Sequence, residues 1–143
     1  MELKAEAIFA GEGTGDLLRL RAPLSFWGGI DQETGRISNV THPDHNASIA
    51  GKVLAIPRMI GSSSSSSIML ELIRNGCAPA AIVVGEVDAI LVVGCLVARE
   101  LGMVAPPVLR MDVEAIARLP DGMLRAVAGT DGVAGISRAA PSG

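Results

Sequence analysis

The stretch Gly51–Gly76, GKVLAIPRMIGSSSSSSIMLELIRNG, decides how the rest of the chain is read. Gly51 to Pro57 is a short apolar run closed by proline, the pattern of a buried strand. Ile68, Leu70, Leu72 and Ile73 then open a helical stretch that Asn75-Gly76 stops. Between them lie six consecutive serines behind Gly61. A serine-rich linker joins parts that fold alone and has polar residues on both sides. Here both flanks are apolar, so Ser62–Ser67 reads as a loop that leads from a strand into a helix. Serine hydroxyls satisfy the orphan amides of a first helical turn, and helix N-termini attract anions. The spacing thus predicts either an anion site or a plain cap, and does not choose between them. Two familiar alternatives are excluded: no Gly-Lys-[Ser/Thr] follows for a phosphate loop, and no Gly-x-Ser-x-Gly for a nucleophile elbow.

Upstream, Glu2–Ala10 alternates polar and apolar residues like a half-buried strand. Gly11-Glu12-Gly13-Thr14-Gly15 reads as a turn and Asp16–Arg21 as the return strand. Pro23-Leu24-Ser25-Phe26-Trp27-Gly28-Gly29 is a loop, Thr34-Gly35-Arg36 a further turn, and a short strand lies near Ile37. Downstream, Ala80–Val84 is a second buried strand and Asp88 caps a helix reaching Leu101-Gly102. Val108–Met111 is a strand, Asp112–Leu119 a capped helix and Met123–Ala128 the last strand, followed by a frayed tail over residues 137–143. Strands first, then strand and helix in alternation, give one α/β domain with a mixed, partly parallel sheet and helices packed on it.

The 143 residues suit a single domain, and a hydrophobic fraction of 49% excludes disorder. Aromatics are only 2%, so aliphatic side chains must build the core and stacking platforms for nucleic acid are absent. A net charge of −3 without a basic cluster speaks against a phosphate-backbone partner. Ala78–Pro107 is the most apolar region, but Glu86, Asp88, Arg99 and Glu100 break it, so no membrane span is expected. The start MELKAEAIF has no apolar leader core, and a cytoplasmic location is expected. Cys77 and Cys95 are too few and too far apart to hold a metal or cluster, and are expected to be buried, reduced thiols. His42 and His45 flank Pro43 and Asp44 without a third convergent ligand, so an exposed loop is expected there rather than a metal site.

The chain as a whole resembles the small subunit of aconitase X, the swivelling domain of that branch of the aconitase superfamily. The resemblance is carried by Pro23–Gly29 with Asp31 and Gly35, by Gly51–Pro57, by Gly61-Ser62-Ser63, by Ala78–Ile82 and by Gly94–Leu101. It implies a swivelling β/β/α-type domain over residues 1–136. It implies further a dehydratase that is completed by a large aconitase-like subunit, which holds the iron–sulfur cluster through its own cysteines. In aconitases the first serine after the glycine is the base, and that position is Ser62. Gly61, Ser63 and Ser64 are then substrate contacts, with Ser65–Ser67 capping the helix. Where aconitases carry an arginine after Gly-Ser-Ser this chain has Ser64, and the nearest arginine, Arg58 before the loop, is the expected cationic substrate contact.

Relatives of this type imply two substrates, cis-3-hydroxy-L-proline and mevalonate 5-phosphate. An alanine- and glycine-rich composition with only two lysines, Lys4 and Lys52, tilts the expectation to hydroxyproline, and Arg58 alone offers little cationic charge near the loop for a phosphate. The rival of another class is a non-enzymatic module that uses the same helix terminus to hold an anion or a partner's acidic group. Phe26-Trp27-Gly28-Gly29 is either part of the partner interface or packed into the domain's own core.

Overall fold

The computed structural model describes residues 2–61 and 63–139. Among them the chain forms β1 (Glu2–Phe9), β2 (Gly11–Arg19), a kinked turn α1 (Phe26–Gly29), β3 (Val53–Ile56) and α2 (Ser65–Arg74). β4 (Ala81–Val84), α3 (Ala89–Glu100), β5 (Val108–Arg110), α4 (Val113–Ala117), β6 (Met123–Ala128) and β7 (Val133–Arg138) follow. The strands hydrogen-bond in the order β1-β5-β4-β3-β2-β6-β7 and close on themselves as a barrel. β2, β3, β4 and β5 are mutually parallel neighbours, and the remaining pairs are antiparallel. The expected α/β domain with a mixed sheet is therefore present, with closure added.

Every residue of β3 and β4 is buried, and the period of two sorts their side chains. Val53, Ala55, Ala81 and Val83 join Leu109 and Leu124 in the barrel interior. Leu54, Ile56, Ile82 and Val84 face outward, under Met69 and Leu72 of α2 and Leu91 of α3. Each fully buried Val, Leu or Ile contributes about 1.5–3 kcal/mol of transfer free energy, so these two strands anchor both layers. α4 plugs the barrel through Ile116, and Arg19 at the end of β2 donates to the carbonyls of Ile116 and Leu119.

Three expectations are corrected. Gly11–Gly15 is not a turn but the first half of β2, paired with β6 from Gly11↔Ala128 to Asp16↔Met123. Its glycines serve close approach: a Cβ on Gly13 would stand 1.8 Å from the Ala80 carbonyl oxygen, and one on Gly15 2.1 Å from that of Gly51. β7 is a strand the pattern left unread; Ser137 pairs with Glu2 and Arg138 with Leu124, so pairing runs past the expected start of the tail. Residues 140–143 lie outside the described residues. Asp112 makes no side-chain cap on α4, because its carboxylate accepts from Arg110 Nη2 at 3.0 Å instead. Asp88 does cap α3, accepting from the amides of Ile90 and Leu91.

Cys95 on α3 is fully buried between helix and sheet, and loss of hydration pushes its thiol from 9.0 up to about 12, against the pull of the Arg99 guanidinium. The folded chain therefore favours the protonated thiol. The stability this contributes is full below the unfolded value and is lost as pH rises toward the folded one. Unfolding free energy is expected to fall above pH 9 with a slope of up to about 1.4 kcal/mol per pH unit from this group. The chain has no tyrosine to add a second slope of phenolic origin. Cys95→Ala should flatten that slope in urea titrations; an unchanged slope would refute the assignment. The close approach at Gly13 is tested in the same assay. Gly13→Ala should cost about 1–3 kcal/mol or more. Gly61→Ala, where an added Cβ meets nothing, should stay within about 0.5 kcal/mol of the parent. Equal midpoints for the two variants would contradict the packing described.

Candidate functional site

In a parallel sheet the carboxyl ends of the strands and the N-termini of the following helices share one end, where ligands bind by preference. Here that end carries the loop 57–64 after β3 and the turn Gly85–Asp88 after β4. The two are in contact, since a Cβ on Gly85 would lie 2.5 Å from the Pro57 carbonyl oxygen. The first half of the serine loop is pinned from the other side: Leu24 pairs in parallel with Met59, and the Ile60 amide donates to the Leu24 carbonyl at 3.0 Å. A cleft of about 360 Å³ opens between the two loops, lined by Met59, Gly61, Glu86, Val87, Asp88, Ala89 and Ile90.

Of the expected site residues, Gly61 lines this cleft, with its backbone exposed and space around it. Ser63 is exposed and Ser64 half-buried at the N-cap of α2; neither lines the cleft. Arg58 is exposed and also outside the lining. Ser62, the expected base, lies outside the described residues. Ser65–Ser67 do not cap α2 but form its first turn, and Ser65 is fully buried with an Oγ that has no partner.

Glu86 and Asp88 are cleft residues that the sequence reading passed over. Glu86 looked like a break in an apolar run and Asp88 like a cap alone. The signal was available: a buried strand followed by Gly-Glu-Val-Asp and a helix repeats the strand–loop–helix logic of the serine segment. Asp88 Oδ1 caps α3, whereas Oδ2 is buried without a partner. The lining thus holds two carboxylates and no cation.

His42 corrects the exposed-loop expectation, because it is buried at 7% exposure; His45 is exposed as expected. Trp27 is 62% exposed while its neighbour Phe26 is fully buried, so the pair divides between surface and core. No group of three or more His, Cys, Asp or Glu among the described residues is placed to hold a metal. The thiols do not fit a cluster either. Cys95 is enclosed in the core, and Cys77, half-buried rather than buried, donates its S–H to the Glu33 carbonyl at 3.1 Å. No helix among the described residues is long and apolar enough to cross a membrane.

Comparison with known proteins gives these features a family. The phosphomevalonate dehydratase small subunit of Thermococcus gammatolerans is 41% identical over 98 residues, 68% of this chain and 75% of that one. The cis-3-hydroxy-L-proline dehydratase of Pseudomonas aeruginosa is 45% identical over 94 residues, 66% of this chain but 16% of that longer protein. The crystal structure of Thermococcus kodakaraensis aconitase X in its holo form superposes with a TM-score of 0.80 at 33% identity, covering 96% of this chain and 99% of that one. The aconitase X swivel domain family matches residues 2–136, the barrel except the last two residues of β7, and this chain belongs to that family.

Proposed function

We propose that the chain is the small subunit of a two-component aconitase X type hydro-lyase, and that it acts on cis-3-hydroxy-L-proline. The observation that carries this reading is the open cleft at the carboxyl ends of β3 and β4, with the serine loop on one wall. An open half-site of this kind calls for a second surface to exclude water and complete the chemistry. A cytoplasmic location and a large aconitase-like partner belong to the same proposal.

In this reading Ser62 takes the proton from the carbon next to the substrate carboxylate. The electron pair left behind forms the double bond as hydroxide leaves from the neighbouring carbon, giving an enamine. A serine is a poor base in water. The first-turn amides of α2 and the positive end of its dipole would stabilise negative charge developing beside that turn. In this proposal Gly61, Ser63 and Ser64 are the hydrogen-bond donors to the carboxylate and Arg58 is the nearest cation, although of these only Gly61 lines the cleft. The iron–sulfur cluster that the family implies is assigned to the large subunit, since the described residues of this chain offer no ligand set for it, and the cluster would assist departure of the hydroxyl from that half of the site.

The charge of the cleft favours hydroxyproline. Glu86 and Asp88 suit a substrate with a cationic ring amine and oppose a phosphate dianion. A second reading, mevalonate 5-phosphate, is favoured by the names of relatives such as the Thermococcus gammatolerans protein.

The test is to co-express the chain with the aconitase-like large subunit of its own genome, purify the complex and assay both substrates. Turnover of cis-3-hydroxy-L-proline is expected, with Ser62→Ala lowering kcat by about 10²–10⁴-fold. Full activity of Ser62→Ala would overturn the base, and turnover of the phosphate alone would overturn the substrate. A complex inactive on both would favour the non-enzymatic binding module.

A further inference from the structure

His42 takes no part in the cleft, yet its imidazole is held on both sides by backbone. The Asp44 amide donates to Nδ1 at 2.9 Å, so that nitrogen carries no proton. Nε2 therefore bears the ring proton and donates it to the Ala22 carbonyl at 3.1 Å. The ring ties the 39–46 loop to the segment 20–24. Asp44 closes the same clamp, accepting from Arg21 N and Arg21 Nε, each at 2.9 Å.

The restraint continues beyond Ala22. Leu20 donates to the Ala55 carbonyl of β3 at 2.9 Å, which fixes one end of the segment to the barrel. At the other end Leu24, 1% exposed, pairs with Met59 and accepts from the Ile60 amide. Ile60 immediately precedes Gly61 of the cleft. Residues 20–24 are thus a strap tied to β3 at Leu20, to His42 at Ala22 and to the serine loop at Leu24.

We propose that His42 is a positioning residue for the serine loop, acting through its Nε2–H bond to Ala22. The inference rests on the dehydratase reading, in which that loop carries the base. Without the bond the strap keeps only the Arg21–Asp44 part of its middle tie, one residue further from the serine loop, and the loop drifts from the geometry proton transfer needs. Misplacement of this kind acts on kcat far more than on KM, and an error of about 1 Å costs roughly 10²-fold.

Two variants separate the ring's two contacts. His42→Gln retains an amide donor near the place of Nε2; His42→Asn puts its amide near Nδ1 and does not reach Ala22. In the assembled complex His42→Asn is expected to lose about 10²-fold in kcat with KM within about threefold, and His42→Gln to recover most of the loss. In parallel, amide exchange on the full chain should speed up at Ile60 in His42→Asn and not in His42→Gln, with Ile82 in β4 unchanged in both. Equal activity of the two variants, a loss confined to KM, or an unaltered Ile60 amide in His42→Asn would each overturn the proposal. If His42→Asn does not fold, His42→Gln decides alone: near-parental kcat supports the role and a loss of about 10²-fold refutes it. Failure of the dehydratase reading is distinguishable, because it shows in Ser62→Ala while the Ile60 exchange pattern is read without any turnover.

Discussion

Two strands of four residues, Val53–Ile56 and Ala81–Val84, have no exposed face, and the rest of the molecule is arranged around that requirement. One face must be covered by closing the sheet, so antiparallel β1, β6 and β7 wrap round to complete the barrel. The other must be covered by helices, and parallel neighbours supply these as their own crossovers. Once α2 and α3 lie on the outer face, their N-termini meet the carboxyl ends of β3 and β4 at one end. The cleft with Gly61, Glu86 and Asp88 is the place where these loops cannot close completely over the strand ends.

Neighbouring elements approach closely at several glycines. An added Cβ on Gly94 would lie 2.7 Å from the Ser66 carbonyl oxygen, so the backbones of α2 and α3 come close there. Gly13, Gly15 and Gly85 mark further contacts of the same kind around the barrel. The core between helices, sheet and barrel interior is filled mainly by Ala, Val, Ile and Leu. Phe26 is enclosed, whereas Trp27 stands at the surface.

The parts of the fold with local signals were legible in the sequence. β3 and β4 announced themselves as apolar runs, and Asp88 as a helix cap. Glycine misled over Gly11–Gly15, because it marks a turn and a close backbone approach equally well, and only the partner strand tells which. Barrel closure was not legible, since it depends on β1 meeting both β5 and β7 across most of the chain length. β7 itself was missed although Asp131-Gly132 precedes an alternating run, a hairpin signal in plain view. At the site the serine loop was found from its flanks, but Glu86 was not, and the burial of His42 has no local signature at all. A histidine followed by Pro43 and Asp44 in a polar loop looks solvated until the strap it holds is seen.

The proposed two-component function makes one physical demand: the partner would have to cover the carboxyl end of the parallel strands. The direct measurement is hydrogen–deuterium exchange on this chain alone and in complex with the large aconitase-like subunit. Slower exchange is expected at residues 57–64 and 85–90, with Gly76–Ala80 and Val104–Pro106 at the opposite end of the barrel unchanged. Protection confined to that opposite end, with the serine loop exchanging as it does in the free chain, would contradict the placement of the active site.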